Sequence, residues 1–217
     1  MNGTNSNEGQ PEYKPLDFGD VLKRAFDLYK ENLGLLIVVH LVGGLLSLCT
    51  IGILAGPLYA GVSLVMLALY DRKDPKPVVG DLFKGFDFFL PAFLLFLVVC
   101  AVMIPVSMIT GPLSSIAGLV AGTVTMFSYF LIVERKMDFW PAIVESYNMV
   151  KENFWVYLGL YVVGWIGSAL GFIACCIGIV VTAPYLSCVT VIAYRETRPT
   201  VRDAVVSQDM APNTSMA

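Results

Sequence analysis

Three long apolar segments run through the chain, and a shorter segment of mixed polar and apolar residues comes before each of them. The apolar segments cover residues 33–70, 88–133 and 154–194 and contain no Asp, Glu, Lys or Arg. A membrane-spanning helix needs about 20 apolar residues, so each segment is long enough for two spans. The pattern predicts an all-α membrane protein with six transmembrane helices.

The shorter segments resemble one another. Residues 16–33, "LDFGDVLKRAFDLYKENL", align with residues 137–154, "MDFWPAIVESYNMVKENF", and the shared Lys-Glu-Asn triplets fix the shift (151 − 30 = 121). A further copy, "VVGDLFKGFDFFLPAF", covers residues 78–93 at a shift of 60 from the first (78 − 18 = 60). We call residues 16–33, 78–93 and 137–154 the first, second and third frame.

Matching columns define the frames. A small residue is followed by an aromatic residue and then by Asp or Asn: Ala25-Phe26-Asp27, Gly85-Phe86-Asp87 and Ser146-Tyr147-Asn148. Apolar residues precede them at Phe18, Val78 and Phe139 and at Leu22, Leu82 and Ile143. The Lys-Glu-Asn triplet is not part of the motif, because the second frame has Leu90-Pro91-Ala92 there.

The apolar columns recur on one face of a helix. Each frame is therefore predicted to form an amphipathic helix at the cytoplasmic interface. The alternative interpretation is that a frame forms the first turns of the span that follows it.

Each repeat then consists of an interfacial amphipathic helix and a two-span hairpin, over residues 16–76, 77–136 and 137–199. Two spans per unit give every repeat the same orientation, so the sequence predicts parallel repeats around a pseudo-threefold axis. The repeats form a single six-helix membrane domain over residues 16–202. The polar tails, residues 1–15 and 203–217, are predicted to be disordered.

The charged residues fix the topology. All 14 Lys and Arg lie in the N-terminal segment up to Lys30, in the connections 72–84 and 135–151, or in residues 195–202. The positive-inside rule places both termini and both of these connections in the cytoplasm. Asp and Glu lie in these ranges or within seven residues of them, and the formal net charge is −3, so we expect neither a nucleic-acid surface nor a polybasic lipid patch.

Small residues and prolines are expected to shape the helix packing. Pairs of small residues four apart are predicted to let helices pack closely within the bundle: Gly52 and Gly56, Gly118 and Gly122, Gly164 and Ser168, and Gly167 and Gly171. Pro57 and Pro184 are predicted to kink their spans, and Pro112 to mark a turn.

Candidate chemistry is sparse, and no enzyme is predicted. His40 is the one ionisable side chain of the usual functional kinds within the apolar segments. We expect a neutral imidazole hydrogen-bonded to a neighbouring helix, with a proton relay or ligand role as the alternative. No cofactor or metal site is predicted, because there is no second histidine and the cysteines lack metal-binding spacing.

The five cysteines are expected to be small apolar packing residues: Cys49, Cys100, Cys175, Cys176 and Cys188. A disulfide among Cys49, Cys175 and Cys176 near the outer tips is the alternative.

Three stretches carry a family resemblance: "DLFKGF", "GPLYAGVSLVMLALYDRKDP" and "TAPYLSCVTVIAYRETRP". Over residues 15–202 the chain resembles a group of bacterial six-span proteins, among them the membrane domain fused to some glycerophosphodiester phosphodiesterases. The resemblance implies a location in the bacterial inner membrane. The phosphodiesterase catalytic domain is not in this sequence, so no catalytic residue carries over.

The expected function is that of a non-catalytic membrane protein: an anchor, scaffold or accessory subunit for a membrane or cytoplasmic protein partner or for lipid. The alternative is a transporter or channel for a neutral or lipid-like solute. A dry, packed bundle axis favours the first, and a polar cavity lined by Ser, Thr and His40 favours the second. The sequence predicts no oligomeric state.

Overall fold

A computed structural model describes residues 18–111, 114–173 and 182–197, and every regular element in these ranges is helical. The all-α fold class is confirmed for them, and the predicted tails lie outside them. The elements are α1 (Phe18–Glu31), α2 (Leu33–Cys49), α3 (Ala55–Tyr70), a 3₁₀ segment (Val79–Phe88), α4 (Phe89–Thr110), α5 (Ser114–Thr125), α6 (Ser128–Arg135), α7 (Phe139–Lys151), α8 (Phe154–Ile173) and α9 (182–197).

Two helices in the described ranges are long and apolar enough to cross a membrane, Val79–Ile109 and Ser114–Arg135, with mean hydropathies of 2.8 and 2.0. A third candidate arises if α1 and α2 are taken together as one bent span. Ala55–Tyr70 and Phe154–Ile166 are apolar but shorter. The helices therefore indicate a membrane protein with two or three candidate spans.

The first frame forms α1, whose buried face is narrow and regular. Val21 and Ala25 are 0% exposed and Tyr29 is buried, so the buried positions recur at every fourth residue along the helix. The axes of α1 and α2 meet at 88°. For this frame the prediction of a distinct helix is confirmed, and α1 is not the first turns of α2.

The third frame forms α7 with its buried face in the same columns. Ala142, Ser146 and Val150 are each fully buried and stand 121 positions after the buried residues of α1. The same columns therefore face the protein interior in both frames.

The junctions after α1 and α7 share one backbone pattern. The Asn32 N–H donates to the Tyr29 carbonyl at 3.3 Å, and the Asn153 N–H donates to the Val150 carbonyl at 3.2 Å. The Asn32 carbonyl then accepts a hydrogen bond from the Leu36 N–H, and the Asn153 carbonyl accepts one from the Tyr157 N–H. These are the first helical hydrogen bonds of α2 and α8. The Lys-Glu-Asn triplet thus marks the end of one helix and the start of another.

The second frame differs, because it forms the 3₁₀ segment and continues into α4 as the 31-residue helix Val79–Ile109. It lies against α3: a Cβ added to Gly85 would overlap the Pro57 carbonyl and the Gly61 backbone. The prediction of a separate amphipathic helix is wrong for this frame, and the alternative interpretation describes it. The close approach is possible because glycine has no side chain.

The core is built mainly from α3, α6 and α9. Twelve of the sixteen residues of α3 are buried. Residues 130–133 of α6 and 191–194 of α9 are also buried. By contrast, α2 buries three of its seventeen residues. The second helix of each predicted hairpin therefore lies inside.

Small residues allow close helix contacts within the chain. A Cβ on Gly56 would overlap the Ala92 carbonyl of α4, and one on Gly164 would overlap Leu186 of α9. The predicted packing role is thus seen at these two glycines. The side chain of Ser168 and residues Gly167 and Gly171 lie outside the part of the chain whose burial is described.

The prediction for the prolines fails at Pro57, and Pro184 is the third residue of the range described for α9. Pro57 is the third residue of α3, in the first turn, where the missing N–H has no intrahelical partner to lose, so the predicted kink at this residue is wrong. The proline inside a long helix is Pro105 of α4, which the sequence reasoning did not select. Pro112 lies outside the described residues.

Candidate functional site

The three hairpin exits meet in one ion-pair network. The first charged residues at the exits are Asp71 after α3, Glu134 in α6 and Arg195 in α9. Arg195 Nη2 donates to Asp71 Oδ2 at 2.5 Å, and Nη1 donates to Glu134 Oε1 at 2.7 Å. One guanidinium therefore joins the ends of three helices. We call these three residues the exit triad.

The exit triad rests on a buried aromatic cluster. The Tyr194 side chain is fully buried, and its hydroxyl donates to Glu134 Oε2 at 2.6 Å. Its ring lies 5.1 Å from that of Phe130 and 5.7 Å from that of Phe127. Both oxygens of Glu134 are therefore engaged, one by the guanidinium and one by the tyrosine.

The Arg195 side chain is only 12% exposed, and its Nε is buried without a hydrogen-bond partner among the described residues. Taking a charge out of water is costly, and the two carboxylates offset that cost. Removal of the guanidinium would leave the two carboxylates without a counter-charge, and removal of the carboxylates would leave the guanidinium without one. The exit triad is therefore sensitive to substitution even though ion pairs alone stabilise proteins little.

A second arginine ties α1 to the same end of the bundle. Arg24 of α1 pairs with Glu196 of α9, and its Nη2 donates to the Tyr70 hydroxyl at 3.1 Å. Asp20 lies one turn earlier, at 3.7 Å from the guanidinium. The amphipathic helix α1 is thus fixed to the ends of α3 and α9. We call the end that carries both arginines the charged end.

His40 lies in α2, and both of its ring nitrogens have hydrogen-bond partners. Nδ1 lies 2.9 Å from the Leu36 carbonyl, which only accepts, so Nδ1 carries the proton. Nε2 lies 2.9 Å from Ser187 Oγ of α9, whose hydroxyl also lies within donating distance of the Ala183 carbonyl at 3.5 Å. This geometry joins α2 to α9 through the imidazole ring. Neither partner of the ring is an ionisable group.

A tyrosine cluster lies deeper along the helices and was missed by the sequence reasoning. The rings of Tyr59 and Tyr129 are 5.7 Å apart. The Tyr161 hydroxyl lies where a Cβ on Gly122 would point. Tyr59 stands 70 − 59 = 11 residues before the end of α3, or about 16 Å along the helix axis.

Tyrosines usually sit at the membrane interfaces, so Tyr59, 11 residues from the end of its apolar segment, was a usable indication of a polar site. The sequence search considered ionisable groups instead. The cluster offers neutral hydroxyl donors and acceptors, which suit hydrogen bonding to an uncharged group.

Metal and disulfide chemistry find little support in the described ranges. Within residues 18–111, 114–173 and 182–197 there is no group of three or more His, Cys, Asp or Glu that could hold a metal ion. Cys49, Cys100 and Cys188 are free thiols. Cys175 and Cys176, the other two members of the conceived disulfide set, lie outside the described residues.

Comparison of the chain with protein-family models, with curated proteins and with solved structures found no match. The resemblance to bacterial six-span membrane domains therefore stays a prediction. The structural features that bear on function are the exit triad, His40 and the tyrosine cluster.

Proposed function

We propose that the chain is a six-span protein of the bacterial inner membrane that acts as a non-catalytic anchor or accessory subunit. Its charged end holds a membrane or cytoplasmic protein partner. Three parallel repeats surround a pseudo-threefold axis, and both termini are cytoplasmic. The observation that carries the proposal is the exit triad, in which three corresponding hairpin ends are fastened together by one buried arginine.

Six spans are supported by the helices that fill the three apolar segments: α2 and α3, α4 and α5–α6, and α8 and α9. The helix α3 has 16 residues, about 24 Å, which is short for a bilayer core of about 30 Å. Short spans are tolerated when the bilayer thins locally or flanking residues reach the interface.

The cytoplasmic orientation is supported by the side chains gathered at the charged end. Ion pairs bring α1 together with the ends of α3, α6 and α9 there, through Arg24 and Arg195. Cytoplasmic ends of membrane helices are enriched in Lys and Arg. No Lys or Arg lies in the connections at the opposite end of the apolar segments.

An anchor is favoured over a conduit because the inner helices are densely packed near the charged end. Val65 and Leu131 are 0% exposed, and Ile192 is 1% exposed. This leaves little room for a path between α3, α6 and α9 at that level. Exposed aromatic residues on the frame helices, such as Trp140 and Tyr147 on α7, provide contact surface for a partner instead.

Partner binding is tested by native mass spectrometry of the protein extracted from its own membranes in mild detergent. We expect a stoichiometric protein partner that is lost from a Trp140→Ala/Tyr147→Ala variant. A Val102→Ala/Ile104→Ala variant, altered at exposed positions of α4, serves as the matched control and keeps the partner. Recovery of the chain with only a retained lipid or small solute would contradict the subunit role.

Topology is tested separately with single cysteines in a cysteine-free background. Lys136→Cys at the charged end is expected to react with a membrane-impermeant maleimide only from the cytoplasmic side. Ile51→Cys, at a position that is 93% exposed after α2, is expected to react only from the outside. Labelling of both positions from one side would overturn the six-span topology.

A transporter for a neutral or lipid-like solute is the second candidate, and the tyrosine cluster favours it. Tyr59 is 56% exposed although its neighbours Leu58 and Ala60 are buried. Uptake of a neutral solute into proteoliposomes above the protein-free level, reduced in Tyr59→Phe, would support this function. Equal uptake with and without protein would count against it.

A further inference from the structure

Two adjoining cavities, of about 410 and 260 Å³, lie between the junction of α1 with α2 and the connection that follows α3. Both contact Glu31 at the junction, Leu69 in the last turn of α3, and Lys76 in the connection. We call the two cavities together the corner groove. The groove lies at the charged end, because the connection begins directly after Asp71 of the exit triad.

Three cationic side chains line the corner groove: Arg72, Lys73 and Lys76. None of them forms an ion pair with a residue in the described ranges, whereas Arg135 and Arg195 do. The ion-pair network at this end therefore leaves these three charges available to a ligand.

Two carboxylates also line the groove, on Glu31 and Asp74. Its lining thus carries a net charge of 3 − 2 = +1. The sequence-based expectation that no basic patch exists concerned the whole charged end, whose charges nearly balance. The three cations are neighbours in the sequence, and folding brings Glu31 beside them, so the lining keeps a small local excess of positive charge.

The backbone fixes the position of Arg72. Its φ is +48°, a conformation usually left to glycine at the end of a helix. The Arg72 N–H donates to the Leu69 carbonyl at 3.2 Å, and the Lys73 N–H donates to the Ala68 carbonyl at 3.0 Å. These bonds end α3 and turn the connection towards α1. The helix cap thereby fixes the backbone of Arg72 and Lys73 beside the groove.

The groove also has apolar lining residues. They include Leu35 in the first turn of α2, Leu69 in the last turn of α3, and Val78 and Val79 in the connection and the 3₁₀ segment. Under the proposed membrane placement, both turns lie at the boundary between the apolar and polar layers. A ligand that fills the groove therefore meets both cationic and apolar side chains.

We propose that the corner groove binds the headgroup of an anionic phospholipid. Its phosphate would accept hydrogen bonds from Arg72, Lys73 and Lys76, and the start of an acyl chain would lie along Leu35 and Leu69. The apolar lining favours a lipid over a soluble phosphate, because a free anion gains nothing from hydrocarbon. The inference rests on the membrane placement of the proposed function but not on its protein partner.

The test is native mass spectrometry of the purified protein in detergent, titrated with phosphatidylglycerol or phosphatidylcholine that carry the same acyl chains. We expect at least about tenfold tighter binding of phosphatidylglycerol, since each basic residue near an anionic lipid contributes about 1 kcal/mol. The variant Arg72→Gln/Lys73→Gln/Lys76→Gln is expected to reduce this preference to less than about threefold.

The matched control is Lys23→Gln/Lys136→Gln/Lys151→Gln, which removes the same charge elsewhere in the frames and their exits and should keep the preference. Lys73→Arg/Lys76→Arg keeps the groove cations and should also keep it, which separates lost charge from a folding defect. An equal loss in the groove and control triples would overturn the assignment, because the attraction would then be diffuse. An unchanged preference in the groove triple would overturn it as well.

Inorganic phosphate is the competitor that separates a lipid from a soluble anion. Displacement of phosphatidylglycerol by millimolar inorganic phosphate would reassign the groove to a soluble ligand. A protein without a partner in the extraction experiment, but with the lipid preference intact, would refute the subunit role and leave this inference standing. Maleimide labelling that contradicts the six-span topology would remove the basis of both the subunit role and the lipid site.

Discussion

The first and second frames share their columns but fold differently. In the first frame α1 ends at Glu31 and the chain turns by 88° into α2. In the second frame the 3₁₀ segment continues into α4 as one long helix. The third frame folds like the first: it forms a helix of its own, α7, and the chain breaks before α8. The similarity of the columns therefore does not by itself decide the structure.

A single column explains much of the difference. Val21 and Ala142 occupy it in the first and third frames, and both are 0% exposed. The second frame has Asp81 there, and a carboxylate cannot be buried without compensation. Asp81 instead accepts a hydrogen bond from the Val78 N–H at 2.8 Å and pairs with Lys84 at 2.7 Å.

The buried face of the second frame consequently shifts to Leu82 and Gly85, three residues apart, which suits the 3₁₀ period. Side chains three apart are eclipsed in such a helix. The rings of Phe83, Phe86 and Phe89 accordingly stack at 6.3 and 6.4 Å. We infer that the carboxylate in this column favours both the 3₁₀ helix and the shifted buried face.

The residue at the end of each frame explains why two of the frames are followed by a break between helices. Asn32 and Asn153 end their frames with the same hydrogen bond, whereas Ala92 stands at the corresponding position of the second frame. The Asn32 side chain also donates to the Leu28 carbonyl at 3.1 Å. The Lys-Glu-Asn triplet is not part of the common motif. It is present in the two frames that end in a break before the next helix, and it is absent from the frame that continues as one helix.

The largest effect is expected where the second frame touches α3. Gly85→Ala places a methyl group against the Pro57 carbonyl and the Gly61 backbone, which cannot yield like a side chain. We expect a loss of about 3 kcal/mol in the free energy of unfolding, measured by thermal unfolding in detergent. Gly80→Ala in the same segment, with only Val78 nearby at 4.0 Å, should change it little. Equal effects would show that the close approach does not set the fold of this frame.

The exit triad joins the ends of α3, α6 and α9, and Arg195→Gln tests this joint. The substitution leaves Asp71 and Glu134 facing each other without a cation. We expect a loss of about 2 kcal/mol, less than for a fully buried pair because both carboxylates keep some contact with water. Arg135→Gln breaks a pair with Glu145 at the same end and should cost less than about 0.5 kcal/mol. Similar melting temperatures for the two variants would argue against a joint between three repeats.

The junction is tested by Asn32→Leu. Loss of the side-chain hydrogen bond to Leu28 should cost about 1 kcal/mol and make the bend less well defined. Spin labels at Lys23→Cys and Leu45→Cys report the angle between α1 and α2 through their distance distribution. We expect a broader distribution that extends to longer distances, and Asn148→Leu within α7 as the control should leave it unchanged. An unaltered distribution in Asn32→Leu would assign the bend to tertiary packing.

The frames were predictable from the sequence because the small column is buried in all three, at Ala25, Gly85 and Ser146. The apolar columns were less informative. Phe18 and Phe26 were predicted on the apolar face, but they are 37% and 47% exposed. In a membrane protein an apolar residue is stable against either lipid or protein, so hydrophobic pattern alone does not identify the buried face.

Contacts between helices that lie far apart in the chain could not be predicted from the sequence, for a different reason. The charges of Asp71, Glu134 and Arg195 were all read as topology signals at the ends of spans. Their meeting depends on how three hairpins pack, which no local pattern encodes. The same holds for His40, whose partner Ser187 lies 147 positions away. A hydrogen bond from His40 to a neighbouring helix was predicted, but the partner residue was not.

The smallest effect is expected from Asp81→Asn, which separates the two interactions of this residue. Asparagine keeps an oxygen that accepts from the Val78 N–H but loses the ion pair with Lys84. Because an exposed ion pair contributes little, we expect the free energy of unfolding to fall by no more than about 0.5 kcal/mol in low salt. This loss should disappear in about 1 M salt, where charges are screened within about 3 Å. Asp81→Ala loses both interactions and should cost about 1 kcal/mol at either salt concentration. If both variants match the wild type, the difference between the frames comes from the contact of Gly85 with α3 and not from the charge at Asp81.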